Sequence, residues 1–349
     1  MRAGLEAWLH RQWARRGLLA WTLAPLSLLF LAAVRLRHRR WHEGKLAQTR
    51  LPVPVLVVGN IYLGGTGKTP VTIALVRSLV ARGFRPGVIS RGWGRRGAAA
   101  QLVTDAQSAL EVGDEPLLIA RATGVPVAVA RARAAAGQLL LAAHPECDVL
   151  IADDGLQHLA LARDIELAVI GTRGLGNGWV LPAGPLREPP ARLNTVDAIV
   201  LNGCRDPIAS TAPRFAATSQ LGAARPLAHG AAVPLSELAR RQGDTGLALL
   251  AAAGIGAPDR FFAMLRGHGL VVEELPLPDH FDFSTNPFAD SRADLILITE
   301  KDAVKCATRP EIARDPRVYV VGLELTLDER LVDLVTQRIK ESARGFPID

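Results

Sequence analysis

Short runs of β-branched and aliphatic residues, each closed by glycine or a polar residue, alternate along the chain with stretches whose apolar positions fall three and four apart. The short runs cover 53–59, 85–90, 125–130, 148–152, 165–170 and 197–201. Apolar runs of this length and composition predict strands buried on both faces, as in a parallel sheet. Between them, 71–83 and 116–124 carry helical periodicity and end in glycine. The expected fold is α/β, a mostly parallel P-loop-type sheet with helices on both faces and its ligands at the carboxyl edge of the strands. After about residue 215 the alternation restarts with 247–255, a helical stretch at 258–269, and strand-like runs at 271–277, 295–299 and 318–322. This predicts three parts: an N-terminal membrane-associated segment (1–45), a core domain (46–215) and a smaller α/β domain (216–349) that closes over the site. A chain of 349 residues exceeds the usual size of a single core, which agrees with two packed domains.

The segment 18–34 contains no charged residue. As a helix it reaches only about 25 Å, short of a hydrocarbon core of about 30 Å. Pro25 and Ser27 lie in its middle, Trp8, Trp13, Trp21 and Trp41 lie in or beside it, and arginines flank it at 11, 15, 16, 35, 37, 39 and 40. Tryptophans at the ends of an apolar segment sit at headgroup level, and arginines just after the run resist translocation. The first reading is an interfacial or re-entrant helix on the cytoplasmic leaflet, the second a short span, the third a buried core helix. A secretory signal would carry a nucleotide-binding motif away from its nucleotide.

Composition narrows the partners. The chain carries a net charge of +7, and only 5% of its residues are aromatic. Basic charge fits nucleotide phosphates, an anionic membrane or nucleic acid. Crowding of arginine around an apolar run, with few stacking residues and no reading motif, excludes the last. The three cysteines, Cys147, Cys204 and Cys306, have neither disulfide nor zinc-site spacing and suggest a reducing compartment.

The clearest chemical signal follows the first strand. Gly64-Gly65-Thr66-Gly67-Lys68-Thr69 lies between that strand and a helix that has Pro70 near its start. Glycines there let backbone N–H groups converge on phosphate oxygens, Lys68 offsets β/γ charge, and Thr69 offers a hydroxyl to Mg²⁺. The strict phosphate-loop pattern wants glycine where Tyr62 stands, so the loop is a variant. ATP and Mg²⁺ are the expected cofactors. The run 148–152 delivers Asp153 and Asp154 to the same sheet edge as a Mg²⁺-directed acidic strand, with Gln157 and His158 following. Asp114 and Glu115 precede a helical stretch and can cap it. Phosphoryl transfer to a hydroxyl also needs one carboxylate for the proton and others for metal, and spacing does not divide these roles. Arg91 and Trp93 follow the second strand, Arg187 sits in the Pro-rich run 182–188, and His280 follows a later strand.

Read in order between residues 59 and 305, GNIYLGGTGKTP, SRGWG, VGDEP, DDGLQH, PAGPLRE, AGIGAPDRFF, PDHF and TEKDAVK resemble the tetraacyldisaccharide 4'-kinase family. The resemblance implies transfer of the ATP γ-phosphate to the 4'-hydroxyl of a tetraacylated glucosamine disaccharide 1-phosphate, giving lipid IVA at the cytoplasmic face of the bacterial inner membrane. Its partners are then an acylated disaccharide lipid and that membrane surface, with no obligate protein partner. It further implies that Asp114 pairs with His280 to activate the hydroxyl. Lys68 and Thr69 then hold phosphates and Mg²⁺, while Glu115, Asp153 and Asp154 serve the metal. The resemblance assigns Arg187 to the transferred or substrate phosphate, while Arg91 and Trp93, from their place at the same sheet edge, suit an anionic substrate, and Gln157 and His158 are expected beside them as substrate residues. Trp93 stands where the family commonly has tyrosine, which leaves stacking but removes a phenolic hydroxyl. A P-loop kinase for a soluble substrate and a membrane-bound nucleotide switch are the alternatives from the residues alone.

Overall fold

The computed structural model describes residues 2–344, with side chains from residue 8 onward. The strands are β1 (Val55–Gly59), β2 (Pro86–Ser90), β3 (Gln101–Leu102), β4 (Val127–Val129), β5 (Val149–Asp153), β6 (Ile165–Gly171), β7 (Ala198–Asn202), β8 (Arg214–Pro226), β9 (Leu249–Ala253), β10 (Glu273–Pro276), β11 (Leu295–Thr299) and β12 (Val318–Leu327). The helices are α1 (Arg2–Trp13), α2 (Leu18–His42), α3 (Lys68–Ala81), α4 (Ala109–Val112), α5 (Asp114–Thr123), α6 (Arg133–Ala143), α7 (Leu235–Thr245), α8 (Pro258–Gly267), α9 (Glu300–Cys306), α10 (Pro310–Ala313) and α11 (Glu329–Ala343).

Every strand-like run expected from the sequence forms a strand, and all the described strands join one sheet in the order β10-β9-β11-β12-β8-β7-β6-β1-β5-β2-β4-β3. Central β1 shows why such runs are apolar throughout. Leu56 and Val58 pack with Val71, Leu75 and Leu79 of α3 and Leu331 and Val335 of α11. Val55 and Val57 pack on the opposite face with Ala136 and Leu140 of α6. A strand covered on both sides has no polar face, so period-two alternation disappears.

Two strands lie outside those expected, β3 and the long β8. Along β8 small apolar residues alternate with exposed polar ones, a faint signal. The expected boundary near residue 215 falls at the start of this strand. Arg214–Ala217 of β8 pairs in parallel with β7, and Ala217–Pro226 pairs antiparallel with β12. On β12, β11 pairs with Val318–Val321, opposite the far end of β8. Between these attachments the sheet is a two-stranded ribbon, with a register shift at Val321/Leu323. The antiparallel pairing reverses strand direction across the ribbon, so the carboxyl edge of β10-β9-β11 faces the carboxyl edge of β1-β5-β2. Gly65 and Gly256 come within contact distance across the gap.

The N-terminal pair α1 and α2 packs outside this sheet. The apolar run alone is shorter than a hydrocarbon core, yet α2 continues through Arg35 to His42 as a 25-residue helix, about 37 Å long. Arginine and leucine are good helix formers, so the charged end prolongs the helix beyond its apolar part. It is long and apolar enough to cross a membrane by length and composition, and only 11% of its apolar window is buried. The reading as a buried core helix is therefore wrong: Leu18, Trp21, Leu28 and Leu29 are exposed. Its contact face is narrow, with Phe30 and Leu31 packed on the core beside several polar contacts. Buried Ser27 Oγ donates to Val180 O at 3.0 Å and accepts from Ala183 N at 2.9 Å. Arg37 donates to Gln157 O at 2.7 Å, and His38 meets Glu188 at 3.0 Å.

Gly59 closes β1 where it passes under the turn after β5. A Cβ there would sit 2.5 Å from Leu156 Cβ and 2.9 Å from its backbone nitrogen. Gly59→Ala is expected to cost about 1–3 kcal/mol of stability, read as a lower midpoint in chemical unfolding, because the clash involves backbone that cannot rotate away.

Candidate active site

The phosphate loop is built by the two ends it joins. Fully buried Asn60 follows β1, and its Nδ2 bonds Gly64 O at 3.3 Å and Thr66 Oγ1 at 3.0 Å. Gly67, with φ +83°, turns the chain into α3. A side chain at Gly67 would collide with Asn202 Nδ2, which itself donates to Thr66 O at 3.2 Å. No side chain caps α3, so the free N–H groups and positive end of that helix face the cleft, an arrangement suited to an anion. Tyr62 explains the departure from the strict pattern. Leu63 N donates to Pro185 O and Arg187 N to Ile61 O, strapping this part of the loop to the 182–188 turn. The Tyr62 ring is buried between stacked His10 and the Arg173 guanidinium. The phosphate-enclosing bend starts only at Gly64.

Asp153 and Asp154 end β5 and are treated oppositely by their surroundings. Asp153 is fully buried, with Oδ1 accepting from Thr72 Oγ1 at 3.0 Å and Oδ2 without a protein partner. Burial, and then the nearby charges of Glu115 and Asp154, raise its pKa. Burial also pushes Asp154 upward, but Lys68, Arg187 and Arg133 outweigh it and hold its pKa below the ordinary value. Lys68 Nζ lies 3.6 Å and Arg187 Nη1 3.3 Å from Asp154 Oδ1. Buried Arg133 donates to the Asp154 carbonyl. Gln157 Nε2 bonds Asn60 O and Glu188 Oε1, fixing the 182–188 turn against the phosphate loop. Burial, with Arg133, Arg163, Arg37 and Arg91 nearby, lowers His158 to about 4, so its ring is neutral at neutral pH. Its Nε2 is buried without a partner.

Asp114 opens α5, and its two carboxylate oxygens have separate partners. Its Oδ1 accepts from Glu115 N at 3.0 Å, as a helix-start acid does, while Oδ2 lies 2.8 Å from His280 Nδ1. Burial alone would raise the Asp114 pKa, but the His280 hydrogen bond and the Lys301 charge bring it to about 2. His280 is raised by the same hydrogen bond. It stands at φ +58° in the turn after β10, so the two facing sheet edges meet in this pair.

One cleft of about 970 Å³ is lined by Gly64 to Thr69, Arg91, Trp93, Glu115, Asp154, Gln157, His158, Arg187 and His280. Buried Asp114 and Asp153 adjoin this lining through His280 and Asp154. Trp93 is 62% exposed, with the Arg91 guanidinium over its ring at 5.7 Å. Sequence reasoning did not single out Arg133, Asn202, Arg260, Asp279 or Lys301 as site residues, although all line the cleft. The signal for Lys301 was present, since TEKD follows the apolar run 295–299 as DDG follows 148–152. Arg37 and His10 bring α2 and α1 into the lining, which no periodicity could indicate. Among the described residues no group of three or more His, Cys, Asp or Glu is arranged to hold a metal ion. Glu115 and Asp154 line the cleft, and buried Asp153 lies close enough to feel the charge of both. Mg²⁺ commonly uses one or two carboxylates and completes its shell with phosphate and water.

A sequence model of the family described as tetraacyldisaccharide-1-P 4'-kinase matches residues 19–340. The chain is 50% identical to a tetraacyldisaccharide 4'-kinase of Herminiimonas arsenicoxydans, over 99% of this chain and 98% of that one. It is 47% identical to the protein of that name from Bordetella petrii, over 97% and 96%. Among solved structures it resembles LpxK from Aquifex aeolicus in complex with ATP, with a TM-score of 0.76 and 28% identity, over 92% of this chain and all of that one.

Gly67 has no room for a side chain and holds a backbone conformation that L-residues avoid. Gly67→Ala is expected to weaken ATP binding at least about tenfold, measured by calorimetric titration, with the thermal midpoint recorded alongside to separate a local loop defect from unfolding.

Proposed function

The chain belongs to the tetraacyldisaccharide-1-P 4'-kinase family, and from that premise we propose how its cleft performs the transfer. The reaction is ATP-dependent phosphorylation of the 4'-hydroxyl of a tetraacyldisaccharide 1-phosphate. The observation that carries the proposed division of labour is the Asp114–His280 pair, 2.8 Å apart, in the same cleft as Lys68 and the open end of α3.

ATP phosphates lie on the backbone N–H groups of 64–69, with Lys68 offsetting their charge. The acceptor oxygen attacks the γ-phosphorus, the bond to the β–γ bridging oxygen breaks, and ADP departs. Asp114, assisted by His280, takes the hydroxyl proton. A carboxylate held near pKa 2 is a weak base. In a loose transition state the proton leaves late, so position and constant ionisation matter more than basicity. Arg187 bridges Asp154 and Gln157 and is available to the transferred group.

Thr69, Glu115, Asp153 and Asp154 fit a hard cation, since all offer oxygen and Asp153 Oδ2 is buried without a protein partner. Mg²⁺ bound there supplies charge neutralisation on the phosphate oxygens. Arg91, Trp93 and His158 receive the sugar and its anionic group. The parts before and after β8 act as two domains, with the β8–β12 ribbon as the flexible joint that closes them and excludes water. Helix α2 holds the enzyme at the cytoplasmic face of the inner membrane, its exposed leucines in lipid and Arg35, Arg37, Arg39 and Arg40 near anionic headgroups.

Incubation with γ-labelled ATP, Mg²⁺ and tetraacyldisaccharide 1-phosphate in mixed micelles should label the lipid, and Lys68→Ala should abolish the label. Asp114→Asn should cut kcat by about 10²–10⁴-fold while ATP affinity changes little. A kcat within a few fold of the parent would remove Asp114 as the base.

A further inference from the structure

Building on the reading of Asp114 and His280 as the proton-accepting pair, we propose that Lys301 is a positioning residue for the transfer, its ammonium drawing together acids from the two facing sheet edges so that His280 stays registered on Asp114. Lys301 lies in the first turn of α9, immediately beyond β11. Its Nζ is 3.1 Å from Asp279 Oδ1, 3.6 Å from Glu115 Oε1 and 3.8 Å from Asp114 Oδ2. It is also 3.5 Å from His280 Nε2. Asp114 and Glu115 belong to α5, whereas Asp279 and His280 belong to the turn after β10.

Three carboxylates gathered within 4 Å of one point repel each other unless a cation compensates them, and the Lys301 side chain is only 16% exposed, so water screens them weakly. Asp279 Oδ1 is the link to the histidine. It accepts from Lys301 Nζ at 3.1 Å and from His280 N at 3.0 Å. That second bond holds His280 in its left-handed conformation, which a non-glycine residue leaves readily unless held. Lys301 thus fixes Asp279, Asp279 fixes the His280 backbone, and the ring reaches Asp114. The other lysine of the cleft, Lys68, pairs with Asp154 and leaves this group of acids to Lys301.

The test is steady-state kinetics on the full chain in mixed micelles for the parent, K301M, K301R, D279N, H280A and K301M/H280A, with thermal unfolding of each. K301M is expected to lower kcat about 30-fold and to leave the KM for ATP within about threefold, with K301R restoring part of the rate. The double variant should be no slower than H280A alone, because Lys301 acts through the histidine. D279N keeps the Oδ1 acceptor but removes the charge that draws Lys301 to it, so it weakens the same link from its other end and should lower kcat in the same direction, which keeps the test decisive if K301M does not fold. Losses that multiply in the double variant, a parent-like kcat in K301M or D279N, or a rise in the KM for ATP matching the fall in kcat would overturn the positioning role. A parent-like H280A would remove the proton-acceptor reading itself, a distinct failure.

Discussion

The antiparallel ladder between β8 and β12 is the constraint on which the site depends. Parallel sheets collect ligands at one edge, and a continuous parallel sheet of this length would spread its loops along a single rim. Reversing direction midway, across a ribbon longer than either attachment, turns one rim back over the other. The phosphate loop then meets the turn at Gly256, and α5 meets the turn carrying His280. The lining of one cleft is thereby assembled from two edges that are distant along the sheet.

Within that enclosure similar side chains acquire different states. Asp153 lacks a compensating charge at short range and is raised, Asp154 has Lys68 and Arg187 and is lowered, and Asp114 is lowered by His280 and Lys301. Burial penalises all three, so the differences come from which cation or donor each one faces. Separating titratable groups in this way is how one fold assigns distinct roles to chemically identical residues.

The sequence disclosed the parts better than their arrangement. Strands buried on both faces advertise themselves as apolar runs, and the phosphate loop and acidic strand end carry residue types that few other roles require. β8 did not, because it is a half-exposed ribbon of small and polar residues whose meaning lies in its partners. Asp114 was ambiguous between cap and base from its position alone, and the fold gives each of its carboxylate oxygens a separate partner. The true length of α2 was obscured because charge ends an apolar run without ending a helix. Tyr62 looked like a flaw in a motif, yet it packs the entry to the loop beneath α1.

The polar contacts of α2 have a geometric consequence. Ser27 is pinned to the 180–183 segment near the middle of the helix, and His38 to Glu188 near its end. Two fixed points on a rigid rod set both its depth and its tilt relative to the body it carries. Under the proposed placement of the exposed α2 leucines in lipid, the helix would work as a ruler and hold the cleft at one constant height above the bilayer plane. A substrate whose acyl chains remained in that membrane would then present to the cleft only the part of its headgroup that reaches that height.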